Sequence, residues 1–318
     1  MTHTSKNPVH NIPPGTAIRG KWHHCRYRVM RRLGSGANGQ VYLAESAAGR
    51  VAVKIGYDSM SIASEVNVLK QFSKVQGNVL GPSLMDVDDW QIAEGTYPFY
   101  VMEYLRGDSL LSFVRARGEE WIGILIVQLL ADLDRLHRAG WVFGDLKPDN
   151  LIVAGPPPRV RWFDVGGTTL LGRSVKEYTE FFDRGYWGLG SRKAEPSYDL
   201  FAVAMIMINT AYPRRFNRKK EALRQLRAAV NESRSLRRYR AVIIAALEGK
   251  YREAPEMRKD MVRTMSTPVR QRERTASGTV KTGRPPGKKR KRKHEWLETV
   301  LLGLFLFTVY FLYVFTIR

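Results

Sequence analysis

The stretch that most restricts what this chain can become is Phe143-Gly144-Asp145-Leu146-Lys147-Pro148-Asp149-Asn150-Leu151-Ile152-Val153. It sets a carboxylate, a lysine two residues on and an amide five residues on within one tight loop, which an apolar strand then continues. Fourteen residues after Asn150, Phe163-Asp164-Val165-Gly166 offers a second carboxylate followed by a glycine that lets the chain turn. On such a loop Asp145 can accept or orient a hydroxyl proton, and Lys147 can stabilise charge on a transferring phosphoryl group. Asn150 and Asp164 are oxygen ligands of the kind magnesium takes.

Upstream, Gly34, Gly36, Gly39 and Val41 form a G-x-G-x-x-G-x-V run, whose glycines let backbone N–H groups approach phosphate oxygens. Dinucleotide folds share those glycines but continue into a helix, whereas Gln40-Val41-Tyr42-Leu43 reads as a returning strand. A hairpin lid over a triphosphate is therefore expected. Val51-Ala52-Val53-Lys54 then places a cation on a strand beside that lid. Glu65, eleven residues later in a helical stretch, is the candidate ion-pair partner of Lys54, with a solvated helix glutamate as the alternative. The strand from Phe99 to Tyr104 is placed by its order before an interlobe hinge, leaving backbone groups around Met102, Glu103 and Leu105 for adenine edges. Glu120 to Arg138 reads as a buried helix that stops at Gly140.

The formal net charge is +22, a value that predicts salt-sensitive attraction to nucleic acid or anionic lipid. Between Arg214 and Arg240 there are eleven Lys/Arg against Glu221 and Glu232, and between Arg263 and His294 there are twelve against Glu273. The first block reads as helical and as part of the folded domain. Arg214, Arg215, Arg218, Lys219, Lys220, Arg224 and Arg227 in it, with Lys288, Lys289, Arg290, Lys291, Arg292 and Lys293 in the second, are candidates for sequence-independent contact with DNA phosphates. A functionless solvated face is the plainer reading. The single Cys25 excludes an intramolecular disulfide framework. His23 and His24 adjoin it, but no second ligand pair follows at metal-site spacing, so ordinary loop or strand residues are expected there.

Composition divides the chain into an N-terminal extension over 1–19, a catalytic domain over 20–262, a basic flexible linker over 263–294 and a terminal anchor over 295–318. No apolar run follows a basic start at the N-terminus, so no cleavable leader is expected. Thr299 to Ile317 runs nineteen residues without a charge. At about 1.5 Å per residue it reaches nearly the ~30 Å of a hydrocarbon core. With the basic run directly before it, the expectation is a single-pass anchor in the cell membrane with the catalytic domain on the cytoplasmic side.

Taken together, these motifs resemble the Hanks-type protein kinases over residues 20 to 262, with the D-L-K-P-x-N form of the serine/threonine-directed members. Gly36-Ala37-Asn38-Gly39, Ser64 to Lys70, Val165 to Thr169 and Arg192 to Phe201 narrow the likeness to the YabT-type kinases of spore-forming bacilli. The resemblance implies an α+β bilobal fold, ATP with Mg2+, protein substrates and a terminal membrane helix. It further implies a connection with sporulation and regulation by DNA. The two cationic blocks add the expectation that nonspecific DNA, bound across several molecules, gathers them for autophosphorylation in trans. A small-molecule kinase and a catalytically idle adaptor tethering DNA to membrane are the rival classes.

Three departures stand out. Phe143-Gly144 replaces the usual His-Arg, Val165 replaces the Phe of the metal motif, and Ala194-Glu195-Pro196 inverts the end of Ala-Pro-Glu. Loss of the Arg argues against switching through a phosphorylated loop. Asp199 is expected to anchor the catalytic loop, Glu195 has no assigned role, and Thr168, Thr169, Ser174 and Thr179 are autophosphorylation candidates by position.

Overall fold

Strand β4 (Gly49–Gly56) shows how the N-terminal part is built. Val51, Val53 and Ile55 alternate with Ala52 and Lys54, and in a strand that alternation sends the two sets to opposite faces. The first set joins Ile18, Tyr27, Val29, Tyr42, Phe99 and Val101 in one core, while Ala52 joins Tyr100, Met102 and Leu69 in another. Lys54 therefore emerges on the second face. In the computed structural model, which describes residues 11–36, 38–74 and 80–267, this strand lies inside an antiparallel sheet of six. Its members are β1 (Ala17–Arg19), β2 (Arg26–Gly36), β3 (Gly39–Ser46), β4, β5 (Leu84–Ile92) and β6 (Gly95–Glu103), in the order β1-β2-β3-β4-β6-β5.

Helix α1 (Ser59–Phe72) packs on that second face. Asp58 caps it by accepting from the Ser61 N–H at 2.8 Å. Ile62, Val66, Leu69 and Phe72 supply a buried stripe at helical spacing, and Glu65 falls within it.

The second lobe is mostly helical. It begins with β7 (Gly107–Ser109), α2 (Leu110–Arg117), α3 (Trp121–Arg138), β8 (Trp141–Val142), β9 (Leu151–Ala154), β10 (Arg159–Trp162) and β11 (Thr169–Leu170). It ends with α4 (Arg184–Trp187), α5 (Pro196–Ala211), α6 (Ala222–Glu232), α7 (Arg240–Leu247) and α8 (Ala254–Ser266). Helix α5 is buried continuously from Tyr198 to Asn209, as a helix apolar all round must be. Antiparallel pairing of β9 with β10 and of β8 with β11 lays the 143–150 loop beside the 163–168 loop. Two short sheets thus bring together loops that neither helix packing nor sequence proximity would align. The bilobal α+β architecture is as expected.

Three boundaries differ from the sequence reading. Ile18 of β1 is fully buried, so part of the 1–19 extension belongs to the sheet. Helix α8 starts on a reciprocal Glu253/Glu256 capping box and runs on to Ser266, four residues past 262. Residues 214–220 are not helical, although the basic block reads as such in sequence. Pro213 cannot donate to a continuing helix, and the ring of Phe216 turns inward onto Phe181 at 5.3 Å. The terminal apolar segment and Lys288 to Lys293 lie outside the described residues. No helix among the described residues is long and apolar enough to cross a membrane.

Candidate active site

A cleft of about 590 Å³ between the lobes is lined by the lid residues Gly34, Gly36, Gly39 and Val41, by Ala52, Lys54 and Glu65, and by Met102, Glu103 and Leu105 where β6 leaves the sheet. Its floor carries Asp145, Lys147, Asn150 and Asp164. That volume suits a nucleotide-sized ligand. The lid glycines divide by cause. A Cβ on Gly39, whose φ is +155°, would lie 2.2 Å from the Ile55 carbonyl oxygen, so the close approach of the start of β3 to the end of β4 requires glycine. A Cβ on Gly34 or Gly36 would meet nothing within 4 Å. Their bareness serves no internal contact and leaves the backbone open to phosphate oxygens.

Lys54 Nζ donates to Glu65 Oε1 at 2.7 Å and to Oε2 at 2.6 Å, and all of these atoms are buried. The solvated-glutamate alternative is therefore excluded. Its signal was available, because Glu65 lies three residues after Ile62 and four before Leu69, on the apolar stripe of α1. The Tyr100 hydroxyl adds a third bond to Glu65 Oε2 at 2.7 Å, which sequence reasoning missed. Asp164 Oδ1 stands 4.0 Å from Lys54 Nζ and accepts from the Gly166 N–H at 3.1 Å.

Asp199, fully buried on α5, accepts from Phe143 N–H at 2.8 Å and Gly144 N–H at 3.0 Å, and is 2.9 Å from His137 Nε2. Three donors satisfy a carboxylate that burial would otherwise make costly. Gly144 sits at φ +82°, and a Cβ there would lie 2.6 Å from the Gly167 carbonyl oxygen. The missing Arg is thus a consequence of how tightly the two loops approach. Asp145 pairs with Lys147, accepts from the Thr179 hydroxyl at 2.8 Å, and lends its carbonyl to Asn150 Nδ2 at 3.0 Å. Lys147 Nζ reaches Thr179 Oγ1 at 3.0 Å as well.

Those bonds sort the positional autophosphorylation candidates. Thr179 is engaged with Asp145 and Lys147, while Thr168 and Thr169 are buried. Ser174 is exposed and bridges Lys193 through its backbone. Glu195 acquires a partner in Arg184, whose Nη2 donates at 2.7 Å. That bond holds the Glu195 carboxyl below the usual range. Arg184 also grips the Ser191 carbonyl at 2.6 Å and the Ser197 hydroxyl at 2.8 Å, so the inverted Glu-Pro is fastened from within its own segment.

The basic candidates are not one free face. Arg215 pairs with Asp149 and lies over the Phe182 ring at 4.9 Å, and Arg218 donates to the Tyr186 carbonyl at 2.5 Å. Arg224 pairs with Glu221 at 2.9 Å, and Arg227 pairs with Glu248. Arg214, Lys219 and Lys220 are exposed, and their side chains have no polar partner among the described residues. In the N-terminal lobe, His23 Nδ1 lies 2.7 Å from Asp86 Oδ1 and 3.8 Å from Asp88 Oδ2. Backbone N–H groups of Trp22 and His23 also donate to Asp88, tying the 22–23 turn to β5.

The family description "Protein kinase domain" matches residues 27–280. The chain belongs to the protein kinase family, and it is an ATP-dependent protein serine/threonine kinase. Within the family it is of the bacterial YabT type: it is 47% identical over 322 residues to the serine/threonine-protein kinase YabT of Bacillus subtilis, covering 96% of this chain and 95% of that one. Protein kinase dsk1 of Schizosaccharomyces pombe is 32% identical over 48% of this chain and 31% of its own length. Among solved structures, vaccinia related kinase 3 superposes with a TM-score of 0.60 at 16% identity, covering 84% of this chain and 93% of that one, a likeness of fold alone.

Proposed function

We propose that this kinase is held at the cytoplasmic face of a membrane by its C-terminal segment, and that nonspecific DNA stimulates its autophosphorylation and its action on protein serines and threonines. What carries the catalytic reading is the convergence of Lys54, Asp145, Asn150 and Asp164 on one cleft beneath a glycine lid. Lys54, oriented by Glu65, neutralises α- and β-phosphate oxygens of ATP. Asp145 orients the incoming hydroxyl and accepts its proton as the new O–P bond forms and the bond to ADP breaks. Lys147, between Asp145 and Thr179, steadies the charge on the γ-phosphoryl group. With its Nδ2 committed to the Asp145 carbonyl, Asn150 has its amide oxygen left, and the Asp164 side chain is 46% exposed. These hard oxygen donors fit Mg2+, which when bound neutralises and aligns the phosphates.

The anchoring reading rests on the uncharged Thr299 to Ile317 segment behind a basic run. DNA stimulation rests on that run with Arg214, Lys219 and Lys220, cations that the fold leaves without partners among the described residues. A connection with sporulation rests on the family resemblance alone.

A radiolabelled phosphate assay titrated with duplex DNA at two salt concentrations tests the proposal. Labelling should rise with DNA at low salt, fall at high salt, and vanish in Lys54→Ala and Asp145→Ala controls. Absence of stimulation at low salt would remove the DNA reading, and residual labelling in both controls would remove the site.

A further inference from the structure

Lys54 and Tyr100 are direct cross-strand partners in the β4·β6 ladder. Side chains at opposed positions of an antiparallel pair leave the sheet on the same face. Both therefore point to α1, where a single carboxylate, Glu65, receives them. Lys54 Nζ donates to both Glu65 oxygens at 2.7 and 2.6 Å, and the Tyr100 hydroxyl donates to Oε2 at 2.7 Å. All three residues are buried, with Tyr100 2% exposed. We propose that Tyr100 is a positioning residue for phosphoryl transfer, holding Glu65 and helix α1 in place while Lys54 divides its N–H donors between Glu65 and the nucleotide.

Lys54 has only three N–H donors, and two are spent on Glu65. As Lys54 turns toward phosphate oxygens, a Glu65 held by lysine alone would lose bonds in a buried setting where an unsatisfied carboxylate is costly. Asp164 Oδ1, 4.0 Å from Nζ, draws the same ammonium in another direction. The phenol is not part of that competition. Burial and the neighbouring Glu65 charge keep its pKa well above the ordinary value, so it stays a donor at every working pH. Tyr100 also sits two residues before Met102 at the adenine end of the cleft, so one strand serves both the hinge and α1.

Tyr100→Phe in the full chain keeps the ring and deletes only the hydroxyl. The readouts are the melting temperature, KM for ATP and for the protein acceptor, kcat, and the Kd of a non-hydrolysable ATP analogue with magnesium. The expected result is kcat/KM for ATP lowered and Kd raised about tenfold, with the acceptor KM unchanged within about twofold. In a Glu65→Gln background the same replacement should change Kd by less than about twofold, because the group that Tyr100 orients is already altered. Retention of full activity, an equal loss of affinity in both backgrounds, or a parallel rise in the acceptor KM would each overturn the proposal.

Discussion

Gly144 has a backbone φ of +82°, and a Cβ on it would stand 2.6 Å from the Gly167 carbonyl oxygen. Gly144→Ala should therefore cost about 1–2 kcal/mol for the left-handed backbone alone, with the clash added, and lower the melting temperature by several degrees. An unchanged melting temperature would contradict the loop geometry. Asp145→Asn should keep the fold while lowering kcat roughly 10²–10⁴-fold, since the amide cannot take the proton. His23 gives a pH dependence of determined sign. Its hydrogen bond to Asp86 raises its pKa above 6.5 in the folded state, so protonation favours folding. The contribution is complete below the unfolded value of 6.5 and is lost as pH rises through the folded value. Thermal unfolding between roughly pH 5.5 and 9 should show that decline, and His23→Gln should flatten it.

Helix α1 is an element whose packing and chemistry share one face. Leu69 is buried on the stripe that also carries Glu65. Leu69→Ala should cost about 2–5 kcal/mol and weaken ATP binding more than acceptor binding, because the helix that presents Glu65 loses its seat. Equal weakening of both would show that α1 is not specifically coupled to the nucleotide. The 214–220 loop behaves differently. Phe216 contacts Phe181, Trp187 and Tyr212 at ring separations of 5.3 to 6.0 Å, and Arg215 and Arg218 bind Asp149 and the Tyr186 carbonyl. Those two arginines brace the platform between catalytic loop and α4, whereas Arg214, Lys219 and Lys220 project outward. Exposure and pairing, not position in the basic run, separate the two groups.

At the scale of the molecule, positive charge is concentrated toward the C-terminal half, in two blocks. If the outward cations contact DNA, replacing Arg214, Lys219 and Lys220 with Ala should flatten the salt dependence of binding by about 0.9 for each phosphate that is no longer neutralised. Measured log Kd against log salt would check this, and an unchanged slope would place the DNA elsewhere on the protein. Much of the molecule was legible in the residues. Lid, lysine strand, catalytic loop and metal loop each carry their chemistry in a short run of backbone, so spacing and residue type sufficed to place Lys54, Asp145, Asn150 and Asp164. What only the tertiary structure decided are pairings between segments far apart in the chain. They include Tyr100 with Glu65, His137 with Asp199, Arg215 with Asp149 and the buried seats of Thr168 and Thr169. Such partners depend on strand register and helix packing across tens of residues, and a local pattern holds no record of them. The sequence thus determined which groups meet in the interlobe cleft, and the fold decided which neighbours hold them still.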